Sequence, residues 1–299
     1  MRRRKNPLVE LLEYAAYRAV AFVLRFTSDQ TVHRWGGHLG TMGSVALRSR
    51  HRLALRNLRE TFPGRSEAER RAILAESWRH FGREMLRFVR IQSTPLEKIA
   101  ARCQLINVSR LHEAVARGKG VILISAHYGS WEVGGLAVMA LVNHVTTVAR
   151  PLDNRYLQRD LARLRARTGA DVVDRRGAAR ALLKALLNKG VVILLPDQAV
   201  QPREGVWVPF MGRPSWTTPV PAKIALRAGS TIVFGFCIPD ERGYRLEFEE
   251  PIAVDQLSEA ERDPVALTAR INDGISQRIA QRPELWLWMH DRWKGSGNG

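Results

Sequence analysis

"VILISAHYGSWEVGG", residues 121–135, is the stretch on which the fold turns. It opens with an uninterrupted apolar run, closes on two glycines, and sets one histidine and one glutamate around a Tyr-Gly-Ser-Trp insert. So uniform an apolar run suits a strand buried on both faces, in a sheet covered by helices. His127 then stands where the strand gives way to a turn. On a single helix, residues five apart lie about 140° from each other, so His127 and Glu132 could not share a helical face. The pair works with His127 in the turn, Gly129 at the bend, Ser130 as N-cap and Glu132 in the first turn of the next helix. From there the carboxylate can fold back to orient the imidazole and stabilise the imidazolium, which makes His127 a general base near neutral pH.

Working outward, the same grammar repeats. "SRLHEAVARGKG" (109–120) leads into "VILISAH", and "GAARALLKALLNKG" (177–190) leads into "VVILLPDQ" (191–198). Each is a helix ending in glycine that feeds an apolar strand, with polar residues at the strand's C-terminal end. Further strands are expected at "HVTTVAR" (144–150) and "TIVFGFCI" (231–238), the latter pairing with "YRLEFEE" (244–250) across a turn. Residues 30–100 read as helical, broken at Pro63-Gly64 and restarted by a capping box of Ser66 and Glu69. A last helix is expected over 264–281. The fold class is α/β: a central mixed sheet flanked by helices, behind a helical N-terminal section. Sites in such sheets form outside the C-terminal strand ends, where His127, Arg150, Asp197 and Gln198 fall.

The 299 residues are 45% hydrophobic, enough for a sizeable core, and 47 Lys+Arg against 29 Asp+Glu give a net charge of +18. That excess favours anionic partners. Nucleic acid is a poor candidate, because the arginine-rich helices lack interleaved aromatics and a reader motif. Cys103 and Cys237 read as free thiols and make no zinc pattern, and no cofactor or metal is expected. The first 28 residues form a separate unit: a basic leader, then "NPLVELLEYAAYRAVAFVLRF" (6–26), preceding one domain over 29–299. Its longest charge-free run near the end, 19–24, is far short of the about 20 residues a bilayer span needs. On a helix, Glu10, Glu13, Arg18 and Arg25 fall within a sector of roughly 140°, leaving a broad apolar face. Such a helix either lies on an anionic membrane surface or packs on the domain. Charges interrupting the apolar region argue against a cleaved signal peptide.

A base needs a reaction. No Gly-x-Ser-x-Gly is present, and Ser130 is too near His127 along the turn to be its nucleophile. A base without a protein nucleophile suits direct transfer, in which an acceptor hydroxyl, deprotonated by His127, attacks an acyl donor. Here the motifs carry a resemblance. His-Tyr-Gly-Ser-Trp-Glu (127–132), "NLRETFP" (57–63), "RPLDN" (150–154), "LPDQAVQPREGVWVPFMGRPSWTT" (195–218) and "RPELWLWMHDRWK" (282–294) resemble, in order, blocks of the lipid A late acyltransferases of lauroyl/myristoyl type.

That resemblance implies transfer of a fatty acyl chain from acyl carrier protein to a hydroxyl of a lipid A precursor, an anionic glycolipid, on the cytoplasmic face of the inner membrane. His127 and Glu132 correspond to the catalytic base and its acidic partner. Arg150, or Arg167 of the following helix, corresponds to the family's second-block arginine, while Asn154, Asp197 and Gln198 fall in substrate-binding blocks. Ser130 stands where the family usually has asparagine, and Met211 where it has phenylalanine beside the acyl site. Another glycolipid or a lysophospholipid is the alternative acceptor, with acyl-coenzyme A the alternative donor. A lipid-binding protein without turnover is the competing class. Trp286 and Trp288 read as core or interfacial residues and His290 as structural.

Overall fold

The computed structural model describes residues 6–295 apart from 93, 150, 168, 175–176 and 241–242, with backbone alone at 164–167. Helices α1 (Pro7–Arg25), α2 (Asp29–Ala46), α3 (Arg48–Thr61), α4 (Glu67–Ile91) and α5 (Leu96–Ala100) come first. Then follow β1 (Cys103–Ile106), α6 (Ser109–Ala116), β2 (Val121–Ile124), α7 (Trp131–Leu141), β3 (Val145–Ala149), α8 (Arg155–Arg167) and β4 (Asp171–Asp174). Next are α9 (Ala178–Leu187), β5 (Val191–Leu194), β6 (Val206–Phe210), β7 (Arg213–Thr217) and α10 (Val220–Ala228). The chain continues through β8 (Thr231–Asp240), β9 (Gly243–Phe248), β10 (Ile252–Ala253) and α11 (Pro264–Gln281).

Local chemistry sets several of these boundaries. The Ser66–Glu69 capping box forms as expected, each side chain meeting the other's backbone N–H, and starts α4. Asp263 caps α11 ahead of Pro264 at its first position. Helices α2 and α4 cross closely because glycines meet: a Cβ at Gly40 would stand 1.9 Å from the Trp78 carbonyl oxygen, and one at Gly82 2.2 Å from that of Gly36.

The sheet runs β1-β9-β8-β2-β5-β3-β4, with β10 on β8. Strands β8, β2, β5, β3 and β4 are parallel to their neighbours along this path, whereas β8 and β9 form an antiparallel hairpin. The mixed sheet expected from the sequence is therefore present. All four residues of β2 are buried, and alternate side chains go to opposite layers. Ile122, Ile124, Val192 and Phe234 join Leu58, Trp78, Leu182 and Ile275 on one face. Val121, Leu123, Ile193 and Val233 join Ile99, Leu111, Val133 and Leu136 on the other. Each fully buried aliphatic residue contributes about 1.5–3 kcal/mol, an upper estimate.

Several elements escaped the sequence reading: β1, β4, β6, β7, α10 and β10. Strand β4 is short, largely exposed and acidic at both ends, a blunted edge strand rather than an alternating one. The β6–β7 ribbon sets Pro209 opposite Pro214, and proline ordinarily argues against a strand. Strand β1 is four residues long and pairs with β9.

Helix α1 packs on the domain, but by its polar face. Tyr14 Oη donates to Asp160 Oδ2 at 2.8 Å and Tyr17 Oη to Gln92 Oε1 at 2.6 Å, while Glu10 is buried. The aliphatic face points away: Leu12 is 70% exposed and Phe26 73%, and Leu8, Leu11, Phe22 and Val23 share that side. Helix α2 adds exposed Trp35, Leu39, Met42 and Val45. Among the described residues no helix is long and apolar enough to cross a membrane.

Candidate functional site

Register creates the site. In the parallel pairing of β2 with β5, Ile124 stands opposite Leu194, and both chains leave the sheet level with each other. Three residues further on, His127 and Asp197 meet. The carboxylate Oδ2 accepts the His127 backbone N–H at 3.0 Å, and Oδ1 lies 2.9 Å from His127 Nδ1. Trp286 Nε1 donates to the same Oδ2 at 2.9 Å. Because Nδ1 faces an anionic acceptor, it carries the ring proton and leaves the Nε2 lone pair free to act as a base. The Gln198 side-chain nitrogen lies 3.3 Å from Nε2. The His127 side chain is 24% exposed and Asp197's 2%, so the imidazole is reachable while its partner is sealed.

Electrostatics reinforce that division. Burial on its own would push the His127 pKa down; the adjoining Asp197 charge and hydrogen bond, with Glu132 adding to them, hold it above the ordinary imidazole value. Burial likewise pushes Asp197 up, but the His127 charge and the donors from His127 and Trp286 bring it down to about 2. Asp197 is thus an anion at neutral pH, and it favours the imidazolium that forms when His127 takes a proton.

The turn that presents His127 is pinned from several sides. Gly129 has φ +59°, and a Cβ there would meet the Cys237 carbonyl oxygen at 2.2 Å, so only glycine fits. Its N–H donates to Leu285 O at 3.0 Å, and Leu287 N–H donates to His127 O at 3.1 Å. Residues 285–287 therefore pair antiparallel with the His127 turn, and Tyr128 bridges to Trp286. Buried His80, kept neutral by desolvation, donates from Nε2 to Gly129 O at 3.1 Å. Ser77 Oγ holds Trp286 O at 2.9 Å, and the Asn57 amide holds the carbonyls of Trp288 and His290 at 3.2 Å each.

The expected residues fall as follows. His127, Asp197 and Gln198 come together. Glu132 sits in the first turn of α7, exposed, and acts on His127 as a nearby charge; the hydrogen bond that orients Nδ1 comes from Asp197, not from Glu132 as the local sequence suggested. Ser130 occupies the N-cap position of α7, yet its side chain makes no capping bond. Asn154 is buried beside α1: its amide donates to Glu10 O at 2.8 Å and to Glu13 Oε2 at 3.0 Å, while its Oδ1 accepts the N–H groups of Tyr156 and Leu157. Arg150 lies outside the described residues; Arg167 ends α8, and its side chain is likewise outside them. Met211 falls in the turn between β6 and β7 with φ +52°. His290 Nε2 accepts the Ala199 N–H at 3.2 Å and so orders the loop that follows Asp197.

Sequence reasoning missed Trp286, His80, Ser77 and Asn57 as supports of the site. The signal within reach was the alternating Trp-Leu-Trp (286–288), which reads as a short strand. A cavity of about 920 Å³ between α2, α4 and the β8–β9 hairpin has His80 and Leu285 in its wall, the two residues that hold Gly129. Its arginines are already engaged: Arg83 with Glu76, Arg87 with Glu84, Arg90 and Arg102 with Asp29, and Arg282 with Glu284. Those ion pairs, and a lining that does not include His127, set it apart from the His127–Asp197 pair.

Comparison with known proteins now adds to the geometry. A family model described as bacterial lipid A biosynthesis acyltransferase matches residues 2–295. The lipid A biosynthesis lauroyltransferase of Escherichia coli (strain K12) is 26% identical over 271 residues, 90% of this chain and 87% of that protein. The myristoyltransferase of the same organism is 24% identical over 278 residues, 93% and 84% of the two chains. A phosphatidylinositol mannoside acyltransferase of Mycobacterium tuberculosis (strain ATCC 25618 / H37Rv) is 29% identical over 222 residues, 73% and 68%.

Proposed function

The chain belongs to the bacterial lipid A biosynthesis acyltransferase family and is an O-acyltransferase, and on that footing we propose that it moves a fatty acyl chain from an acyl carrier protein thioester to a hydroxyl of a lipid A precursor. The observation that carries the reading is the His127–Asp197 pair at the exit of two parallel strands, with Nε2 turned to the open side. An acceptor hydroxyl that displaces Gln198 from Nε2 gives up its proton to His127 as its oxygen attacks the thioester carbonyl. Asp197 stabilises the resulting imidazolium. The tetrahedral oxyanion takes its stabilisation from a cationic side chain, Arg150 or Arg167, or from backbone N–H groups. Collapse breaks the C–S bond, the proton passes from His127 to the departing thiolate, and an ester and a free thiol remain. Glu132 adds negative charge that favours the same imidazolium.

Net charge and surface support the partners. A +18 protein attracts an acidic carrier protein and a phosphorylated glycolipid. The outward aliphatic faces of α1 and α2, with exposed Arg18, Arg155 and Arg163 alongside, suit a peripheral position on the anionic cytoplasmic surface of the inner membrane. A second reading, another glycolipid as acceptor, is favoured by the likeness to mannoside acyltransferases.

Mass spectrometry of lipid A from a strain lacking the protein tests the reading. Loss of one acyl chain, restored by the wild type and not by a folded His127→Ala variant, is expected. Unchanged lipid A with an altered second glycolipid transfers the proposal to that acceptor. Purified protein offered carrier-protein and coenzyme A thioesters separates the donors.

A further inference from the structure

The Trp286 indole is 1% exposed, and its N–H is not spent on a backbone carbonyl. Trp288, equally buried, shows the ordinary solution: its Nε1 donates to Pro283 O at 2.7 Å. Trp286 donates instead to the carboxylate that faces His127. Oδ2 of Asp197 thereby receives two donors, the indole and the His127 backbone N–H, which leaves Oδ1 for the imidazole.

The indole itself has little freedom. Its backbone carbonyl is tied to Ser77, its neighbour Leu287 is bonded to His127 O, and its ring packs on Trp288 at 4.8 Å and Phe210 at 5.5 Å between centroids. A donor fixed this firmly dictates where its acceptor stands. We propose that Trp286 is a positioning residue: its indole N–H clamps Asp197 Oδ2, so that Oδ1 stays aimed at His127 Nδ1 and Nε2 is presented to the acceptor hydroxyl. This rests on the reading of His127 as the base. Other charged or titratable groups bear on the pair as well: Glu132 from α7, and His290 and Arg292 from the segment after Trp286. Trp286→Phe leaves all of them in place and removes one donor while keeping an aromatic ring.

Its signature is in the pH dependence. Without the clamp Oδ1 no longer stays aimed at Nδ1, the imidazolium loses part of its stabilisation, and the base is protonated only at lower pH. Trp286→Phe is expected to lower kcat about tenfold, the worth of one hydrogen bond to a charged group. The acid limb of kcat/KM should move to lower pH, with KM for the acyl donor little changed. Trp288→Phe, an equal loss of buried ring in the same cluster, should leave the limb where the wild type has it. A Trp286→Phe limb that coincides with wild type overturns the proposal, as does an equal displacement in Trp288→Phe.

Should Trp286→Phe fail to fold, wild-type protein labelled with ¹⁵N at its 8 indoles decides the matter. One indole resonance should titrate along the acid limb and stop doing so in Asp197→Asn; none titrating overturns the proposal. If the wild type transfers no acyl group, the functional reading fails, while the indole titration still answers for the clamp.

Discussion

The C-terminal edge of β2 and β5 and the helix α1 solve opposite problems. At the sheet edge a carboxylate, Asp197, is 1% exposed, whereas on α1 an aliphatic residue, Leu12, is 70% exposed. Both arrangements look inverted against the usual rule of apolar inside and charged outside. The sheet edge can bury a charge because three donors converge on it. Helix α1 can turn its polar face inward because Asp160, Gln92 and Asn154 wait there with hydrogen bonds. Its apolar face is then left outward. The lesson is that periodicity tells which face is apolar; available polar partners decide which face turns in.

The hardest blow to this contrast falls on the buried charge. Asp197→Asn keeps the shape and removes the anion, so kcat should fall about 10³-fold or more. Because the anion is what raises His127, the acid limb of kcat/KM should also move to lower pH. Pre-steady-state kinetics over pH measures both, and an unshifted limb would show that the buried carboxylate serves packing alone.

The exposed side of the contrast is tested by charge on the outward face of α1. Leu12→Glu with Phe22→Glu should weaken binding to anionic vesicles about 100-fold or more, from the loss of roughly 1.5–3 kcal/mol for each inserted side chain. The melting temperature should stay put, since both side chains are largely exposed. Flotation assays read the first effect and calorimetry the second.

Acid titration sharpens the comparison further. Asp197 is depressed to about 2, below the ordinary aspartate value, so its stabilising contribution, of order 2 kcal/mol, is present above pH about 4 and lost as pH falls toward 2. His127 is raised, so its share is full below its unfolded value and fades as pH climbs through its folded one. The pair therefore stabilises most in the mildly acidic window between, and Asp197→Asn should flatten that part of the stability–pH curve.

The smallest effect is expected where the two regions touch. Asn154→Ala removes a helix cap of α8 and two bonds to α1, costing about 1–2 kcal/mol and about 2–4 °C in Tm. Stability unchanged in that variant would mean that α1 is held without Asn154.

Much of this architecture could be read from the letters. The apolar runs at β2, β5 and β8, the Ser66–Glu69 box and the bounds of α11 follow from short-range patterns, and the structure places them as expected. The partner of His127 did not follow. Glu132, five residues away, was the visible acid; Asp197, 70 residues away, becomes the hydrogen-bond partner through a strand register that no local window contains. Ser130 illustrates the converse: a good capping residue at the cap position whose hydroxyl makes no cap. The β6–β7 ribbon stayed hidden behind its prolines. Periodicity revealed the amphipathic character of α1, but the inward turn of its tyrosines depends on Asp160 and Gln92, far along the chain.

The level pairing of Ile124 with Leu194 also bears on how this protein tolerates change. His127 and Asp197 stand at identical offsets beyond that pair, so the two strand exits keep count as well as chemistry. A substitution at 125, 126, 195 or 196 alters a side chain and leaves the tally intact. An extra codon in either tripeptide would carry one member of the pair past the other and turn it to the opposite side of the chain, whatever amino acid it encoded. The gene is thus more brittle to indels than to missense change over these few positions, and a deep insertion scan would find them by length alone.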